Sequence, residues 1–218
     1  MTGQPARFAA RHAVILAHPG RSSFNALVAD AYCEAVRAHR QEAIVRDLYR
    51  LGFDPLLKDE ERPHGDGFVP SPDVAAELDI LQGTDVFVLV YPIWFGMPPA
   101  MMKGYIDRVL GAGVTAQQVQ HRAGRSIMTG RRLLAITSSG TSRTWLDREG
   151  RLEALRTVTE RYLSHAMALK SGESLHFGEV SDGLAQEFVD QNLRDVADRA
   201  ASICKLLDEE REVSSHGR

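Results

Sequence analysis

Cysteine, long apolar runs and an excess of charge of either sign are all scarce in this sequence of 218 residues. The two cysteines, Cys33 and Cys204, fall in predicted helices without CxxC spacing or a nearby histidine cluster, so we predict neither a disulfide framework nor a metal site. Each is better interpreted as a small buried apolar side chain. No apolar stretch approaches the roughly 20 residues of a membrane-spanning helix, so no stable membrane insertion is expected. The net charge of −3 gives no reason to expect a nucleic acid as partner.

The remaining composition is that of an ordinary globular protein, with 44% hydrophobic and 25% charged residues. We therefore predict a single domain over residues 1–218 and a cytoplasmic location. Residues 1–12 carry arginines but no apolar segment before the first strand, so we interpret them as a loose leader rather than a signal peptide. The charged residues 208–218 are expected to form a mobile tail.

Strand and helix patterns alternate along the chain, and each pattern is marked by the spacing of its apolar residues. The predicted strands are 13–17, 43–48, 85–90, 132–137 and 174–180. The predicted helices are 23–39, 71–81, 100–110, 152–169 and 182–207. This alternation predicts an α/β fold in which a parallel sheet lies between two layers of helices. Five strands favour a flavodoxin-like three-layer sandwich with the strand order 2-1-3-4-5.

Three loops follow strands that this order places side by side. In an open α/β sheet, ligands bind outside the carboxyl ends of the strands, near the point where the strand order reverses. That point lies here between the first and third strands, with the fourth strand beside them. The three loops are HPGRSSFN at 18–25, YPIWFGMPP at 91–99 and TSSGTSRTW at 137–145.

The first loop is rich in hydroxyl groups and stands at the start of a helix. Because the first amides of a helix have no helical partner and the helix dipole favours negative charge, this loop suits a phosphate. It is neither a P-loop nor a GxGxxG turn. A structural interpretation stays open, in which Ser22 or Ser23 is the helix N-cap and His18 is a packed residue at the strand end.

The second and third loops offer aromatic rings and small polar residues. Since exposed aromatic surface is unfavourable, we expect a flat ligand to cover Trp94 and Phe95, although neighbouring loops or a subunit contact could also do so. Lys103 and Arg108, on the next helix, are expected to be solvated. Gly140 would let a ligand approach the backbone, and an ordinary polar turn is the alternative. Together the three loops suit a flat hydrogen-bonding ring with a phosphate tail, which describes a flavin.

The same motifs resemble those of the flavodoxin-like NAD(P)H:quinone oxidoreductases, which include the modulator-of-drug-activity proteins and the potassium-efflux ancillary reductases. The resemblance also includes DLYRLGFDPLL at 47–57 and runs from about residue 13 to at least residue 180. It implies two-electron hydride transfer from NAD(P)H to a quinone, azo or nitro compound by a ping-pong mechanism. It also implies a homodimer. A flavin-binding regulatory subunit of a membrane transport system is the alternative.

The resemblance also assigns site residues, position by position. The residues expected around the flavin phosphate are His18, Ser23, Phe24 and Asn25. Those expected along the isoalloxazine ring are Pro92, Ile93, Trp94, Phe95 and Gly96. Those expected to hydrogen-bond the polar edge of the ring are Thr137, Ser138, Ser139 and Gly140.

The sequence departs from the mammalian members of this family near the expected catalytic residues. Trp145 and Arg151 stand about where those enzymes carry a tyrosine and a histidine, so both are candidates, but a Tyr–His proton relay is not expected. Residues 114–120 lack the aromatic side chains of those enzymes, which implies a differently shaped acceptor pocket. The chain also lacks their longer C-terminal extension, which contacts the adenine end of FAD. This favours FMN as the cofactor, with FAD as the alternative.

Overall fold

The computed structural model describes residues 9–62, 68–122 and 125–216. Five strands form one parallel sheet in the order β2-β1-β3-β4-β5, which confirms the predicted order. The strands are β1 (Arg11–Leu16), β2 (Glu42–Asp47), β3 (Val86–Pro92), β4 (Arg132–Ser138) and β5 (Ser171–Phe177). The carboxyl ends of β1, β3 and β4 therefore lie side by side.

Helical segments connect the strands. The helices are α1 (Phe24–Ala38), α2 (Pro72–Leu81), α3 (Ala100–Tyr105), α4 (Ala116–Gln120), α5 (Arg143–Arg148), α6 (Arg151–Arg156), α7 (Leu163–Ala166) and α8 (Gln186–His216). A π-helical segment, Ile106–Leu110, continues α3, and another, Thr157–Tyr162, joins α6 to α7. The predicted helices 100–110 and 152–169 are thus present as continuous runs of helical segments. A short 3-10 turn, Asp59–Glu61, lies in the long connection after β2.

Helices cover both faces of the sheet, and alternate strand residues point to opposite faces. On one face, Val14 and Val88 pack with the apolar residues of α1 and α8. On the other, Ile15 and Leu89 pack with those of α2, α3 and α7. Every residue of β3 is buried, because this strand lies in the middle of the sheet and is covered on both sides.

The amino-terminal boundary of the fold differs from the prediction. The leader expected at residues 1–12 falls mostly on residues 1–8, which lie outside the described residues. Arg11 and His12 instead begin β1. The His12 ring is fully buried between the Tyr32 hydroxyl and the Gln41 side chain, each at 2.9 Å. Burial, as the largest cause, lowers the pKa of His12.

The carboxyl-terminal helix is longer than predicted. α8 continues to His216, whereas the pattern of apolar residues ends near 207. Glu210 lies within 2.6 Å of both Arg132 and Lys170, and Arg211 contacts Asp85 at 2.8 Å. Residues 208–213 therefore continue the helix beside the sheet and form ion pairs that apolar spacing does not reveal.

Two further boundaries differ because the residues concerned are polar. β5 begins at Ser171 rather than at 174, since this edge strand is half-buried at its start and carries no apolar alternation there. α5 forms within the segment that the sequence suggested to be loop. Both cysteines are buried, as predicted, Cys33 in α1 and Cys204 in α8. Within the described part of the chain, no helix has the length and apolar composition needed to cross a bilayer.

A buried ion pair holds the connection after β2 against the helical layer. Arg108, expected to be solvated, is fully buried, and its Nε and Nη2 donate to the Glu61 carboxylate at 2.8 and 2.6 Å. The same guanidinium donates to the Asp54 carbonyl at 2.5 Å and pairs with Asp73 at 2.9 Å. Hydrogen bonds from Arg108, as the largest cause, lower the pKa of Glu61 to about 2. Long-range pairing of this kind cannot be read from helical spacing.

Candidate active site

The three loops meet around one cavity at the carboxyl ends of β1, β3 and β4. Its volume is about 620 Å³, within the range of about 300–1,000 Å³ that is usual for small-molecule sites. The expected site residues that line it are His18, Ser23, Phe24, Asn25, Pro92, Ile93, Trp94, Ser138, Ser139 and Gly140. Phe95 and Gly96 line a second cavity next to it. Thr137 lines neither of the two.

The first loop presents unpaired backbone amides at the start of α1. Ser23 is the N-cap, and its Oγ accepts the Ala26 amide hydrogen at 3.2 Å. The amides of Phe24 and Asn25 come before the first helical hydrogen bond and have no acceptor among the described residues. They lie at the positive end of the helix dipole, so this corner of the cavity can bind an anionic group.

His18 connects the first loop to the second. Its Nδ1 accepts the Gly20 amide hydrogen at 3.0 Å, which leaves the proton of a neutral imidazole on Nε2. The ring contacts Trp94, with ring centroids 5.8 Å apart and planes tilted by 57°. Because His18 remains half-exposed, its Nε2 hydrogen is a further donor for an anion at this corner.

The second loop is a tight hairpin that presents an aromatic ring to solvent. Trp94 and Met97 exchange two backbone hydrogen bonds of 3.0 Å. Phe95 and Gly96, between them, have φ angles of +51° and +77°, as in a type I′ turn. Such an angle is uncommon for a bulky residue, and the Phe95 side chain is fully exposed. Neighbouring loops therefore do not cover Phe95, one of the alternatives that the sequence left open.

The start of α1 and the end of β4 are joined by a reciprocal side-chain pair. The Asn25 amide donates to Ser138 Oγ at 3.0 Å, and the Ser138 hydroxyl donates back to Asn25 Oδ1 at 3.2 Å. Both side chains are buried. Asn25 thus lines the cavity, but its side-chain hydrogen bonds connect the first loop to the third.

A buried histidine, His176 in β5, organises the third loop. Ser139 Oγ donates to the Thr141 carbonyl at 2.9 Å, so it accepts a hydrogen bond of 3.1 Å from His176 Nε2. His176 Nδ1 in turn accepts from Thr137 Oγ1 at 2.9 Å. Burial, as the largest cause, lowers the pKa of His176 to about 4, with Arg143 adding to the shift. The imidazole is therefore neutral near pH 7 and holds two hydroxyl groups of the loop.

This network changes which donors the third loop can offer a ligand. The hydroxyl hydrogens of Thr137, Ser138 and Ser139 are all used within the protein. Gly140 lines the cavity, and its amide has no acceptor among the described residues. The sequence analysis did not predict a role for His176. Its only indication there was a polar residue near the end of the predicted strand that lies beside the TSSG loop.

The second cavity, of about 460 Å³, adjoins the first and shares Ile93 and Ser139 with it. Trp145 in α5 and Arg151 in α6 both line this second cavity. The Arg151 Cζ lies 5.0 Å from the centroid of the Trp145 ring, which is a cation–π geometry. Gly150, with a φ of +65°, turns the chain between the two short helices and so brings these residues together.

Comparison with known proteins shows the family of this chain and several relatives to which it is similar. A family model described as a flavodoxin-like fold matches residues 10–200. The rat NAD(P)H dehydrogenase [quinone] 1 is 31% identical over 150 residues, which cover 60% of this chain and 54% of that protein. An FMN-dependent NADH:quinone oxidoreductase of Yersinia pestis is 32% identical over 130 residues, covering 55% of this chain and 64% of that one. The matched segment thus spans only about half the length of the rat protein.

A solved structure agrees with the fold over most of the chain. The NAD(P)H:quinone oxidoreductase from Methanothermobacter marburgensis superimposes with a TM-score of 0.72. The superposition covers 89% of this chain and 97% of that one. At 22% sequence identity this likeness supports the architecture alone.

Proposed function

The chain belongs to the flavodoxin-like family whose model matches residues 10–200, and from that premise we propose that it is a flavin-dependent NAD(P)H:quinone oxidoreductase. The observation that carries the proposal is the meeting of three loops around one cavity, with a second, aromatic cavity beside it. The names of the rat and Yersinia relatives support the same activity.

The residues around the first cavity fit a flavin mononucleotide. The unpaired amides of Phe24 and Asn25 could bind its phosphate. The Trp94 side chain could pack against its isoalloxazine ring. The Gly140 amide could donate to an acceptor atom at the polar edge of the ring. The exposed carboxylate of Asp182 lines the same cavity, where solvent screens its charge. A bound flavin would supply the redox chemistry, by accepting a hydride and passing on two electrons. We favour FMN over FAD, in agreement with the FMN-dependent relative.

The chain's own groups would position the substrates and stabilise charge. A backbone amide needs no reorganisation to stabilise negative charge that develops at the ring edge, and we assign this role to Gly140. The second cavity, where Phe95 and Trp145 offer aromatic surface, would receive the nicotinamide first and the quinone afterwards. Because both substrates use one place in turn, we expect ping-pong kinetics.

We also propose that the chain acts as a homodimer. Phe95 and Met97 on the hairpin are exposed apolar residues that line the second cavity. A second copy of the chain would remove this surface from water and close the cavity. Light scattering coupled to size-exclusion chromatography should give twice the chain mass of 24.1 kDa, and a monomer mass would contradict this proposal.

Flavin binding can be measured directly. The protein, incubated with FMN and freed of unbound cofactor, should show the two visible absorption bands of oxidised flavin. Trp94→Ala should weaken FMN binding by roughly tenfold, or about 1.4 kcal/mol, because one aromatic side of the ring site is lost. Trp94→Phe should retain most of the affinity. Phe188→Ala, on α8 and outside both cavities, serves as the control and should bind FMN unchanged.

For each of these expectations, one result would contradict it. A colourless protein that gains no bands with FMN or FAD would refute the proposed function. Equal FMN affinity in Trp94→Ala would show that Trp94 does not contact the ring. Intersecting rather than parallel double-reciprocal plots, with NADH and a quinone varied, would refute the shared place for the two substrates. Flavin binding with slow turnover and association with membrane fractions would favour the regulatory subunit instead.

A further inference from the structure

Among the described residues, one positively charged side chain lines the second cavity. Arg151 lies over the Trp145 ring and makes no ion pair among the described residues. The other side chains around the cavity are apolar, aromatic or hydroxyl-bearing, and Gly96 adds backbone only. A guanidinium in such surroundings can form charge-assisted hydrogen bonds with an anion that enters the cavity.

Two further arginines lie close enough to the third loop to act on His176. Arg143 and Arg156 both help to lower the pKa of His176, after burial, which contributes most. Their carboxylate partners, Asp147 and Glu160, are each 3.9 Å away, so these pairs are loose. Neither arginine lines the second cavity, so Arg151 is the cation that an anion there would contact directly.

We propose that Arg151 is a substrate-selecting residue, whose guanidinium binds an anionic group on the flat aromatic substrate that enters the second cavity. The inference rests on the proposed function. The Arg151 Cζ lies 5.0 Å from the centroid of the Trp145 ring, and this contact limits the positions that the guanidinium can take. The substrate ring would lie beside Phe95, and its sulfonate, carboxylate or phosphate would lie at Arg151. This anionic group could belong either to the electron acceptor or to the hydride donor.

A matched pair of acceptors tests the acceptor as the source. With the FMN-loaded protein and saturating NADH, kcat/KM is measured for 1,4-naphthoquinone and for 1,4-naphthoquinone-2-sulfonate. Arg151→Gln should lower kcat/KM for the sulfonate about tenfold more than it lowers kcat/KM for the neutral quinone. Arg151→Lys, which keeps the charge, should retain most of the activity with the sulfonate. Comparing each variant with the original protein on the same acceptor removes the difference in acceptor potential.

A matched pair of donors tests the other source. NADPH carries phosphates, whereas 1-benzyl-1,4-dihydronicotinamide is uncharged. A loss confined to NADPH in Arg151→Gln would still support an anion site and would assign the anion to the donor. Equal losses with charged and uncharged substrates, or no loss with any of them, would overturn the proposal.

Equilibrium binding provides a readout that does not depend on turnover. In the absence of NAD(P)H, the Kd of the naphthoquinone sulfonate should rise about tenfold in Arg151→Gln and little in Arg151→Lys. The same titration on protein without flavin, followed by tryptophan fluorescence, separates this inference from the proposed function. Failure to bind flavin would refute the function, whereas an unchanged Kd for both the sulfonate and NADPH in Arg151→Gln would refute the anion site.

Discussion

The buried His176 predicts a specific pH dependence of stability. Its pKa is lowered from an ordinary value of 6.5 to about 4 in the folded protein. Between these two values the unfolded chain binds a proton that the folded chain does not, so the free energy of unfolding should fall as the pH falls. From about pH 7.5 to about pH 4.5, this one group should remove about 2.5 kcal/mol, since each pKa unit corresponds to about 1.36 kcal/mol.

Urea unfolding of the flavin-free protein, followed by circular dichroism at several pH values, measures this effect. His176→Gln keeps an amide that can donate to Ser139 but removes the titrating group. The loss of stability between the two pH values should therefore be about 2.5 kcal/mol smaller in the variant than in the original protein. His12, whose pKa is also lowered by burial, keeps part of the pH dependence in both proteins.

The reasoning can be refuted in two ways. An unchanged pH dependence in His176→Gln would mean that the imidazole is not desolvated in the folded state. A His176 ring resonance that titrates near 6.5 in NMR spectra would mean the same, and would leave Thr137 and Ser139 without the neutral partner described above.

Three further substitutions test separate parts of the structure. Gly104→Ala would place a β-carbon on the Pro55 carbonyl and should destabilise the fold by about 1–3 kcal/mol in urea unfolding; full stability would contradict this close approach. Glu61→Gln should cost about 3 kcal/mol or more by the same assay, because it leaves the buried Arg108 charge poorly paired, and a loss under about 1 kcal/mol would refute that. Phe95→Asn, at the positive-φ position of the hairpin, should raise the free energy of unfolding by about 1 kcal/mol while it lowers the proposed quinone reductase activity. Lower stability would show that the positive φ of Phe95 is not unfavourable.

Apolar patterning was sufficient to predict the strand order and the two helical layers. The run at 85–90 became the buried β3, because a strand covered on both faces must be apolar throughout. The meeting of the three loops followed from the same order, since parallel strands end at one edge of the sheet. The three loops around the first cavity could therefore be named from the pattern, whereas the individual site residues came from the resemblance to the flavodoxin-like oxidoreductases.

Contacts between polar side chains far apart in sequence could not be predicted in this way. Arg108 lies on a helix whose spacing suggests a solvated face, and only the folded chain brings Glu61 to it. His176 looks like an ordinary strand residue until β5 aligns it with Thr137. Periodicity reports which face of an element is buried, but not which polar partners meet there.

The reciprocal hydrogen bonds between Asn25 and Ser138 have a consequence for the kinetics of cofactor exchange. In the ligand-free protein they fix the distance between the start of α1, where the cavity can bind an anionic group, and the end of β4. A flavin would therefore lose little affinity to ordering these two walls, since their geometry is preorganised. The side chains of the Trp94–Phe95 hairpin form no hydrogen bond with the other two loops among the described residues, so we expect the hairpin's opening to set the rate at which the proposed flavin leaves.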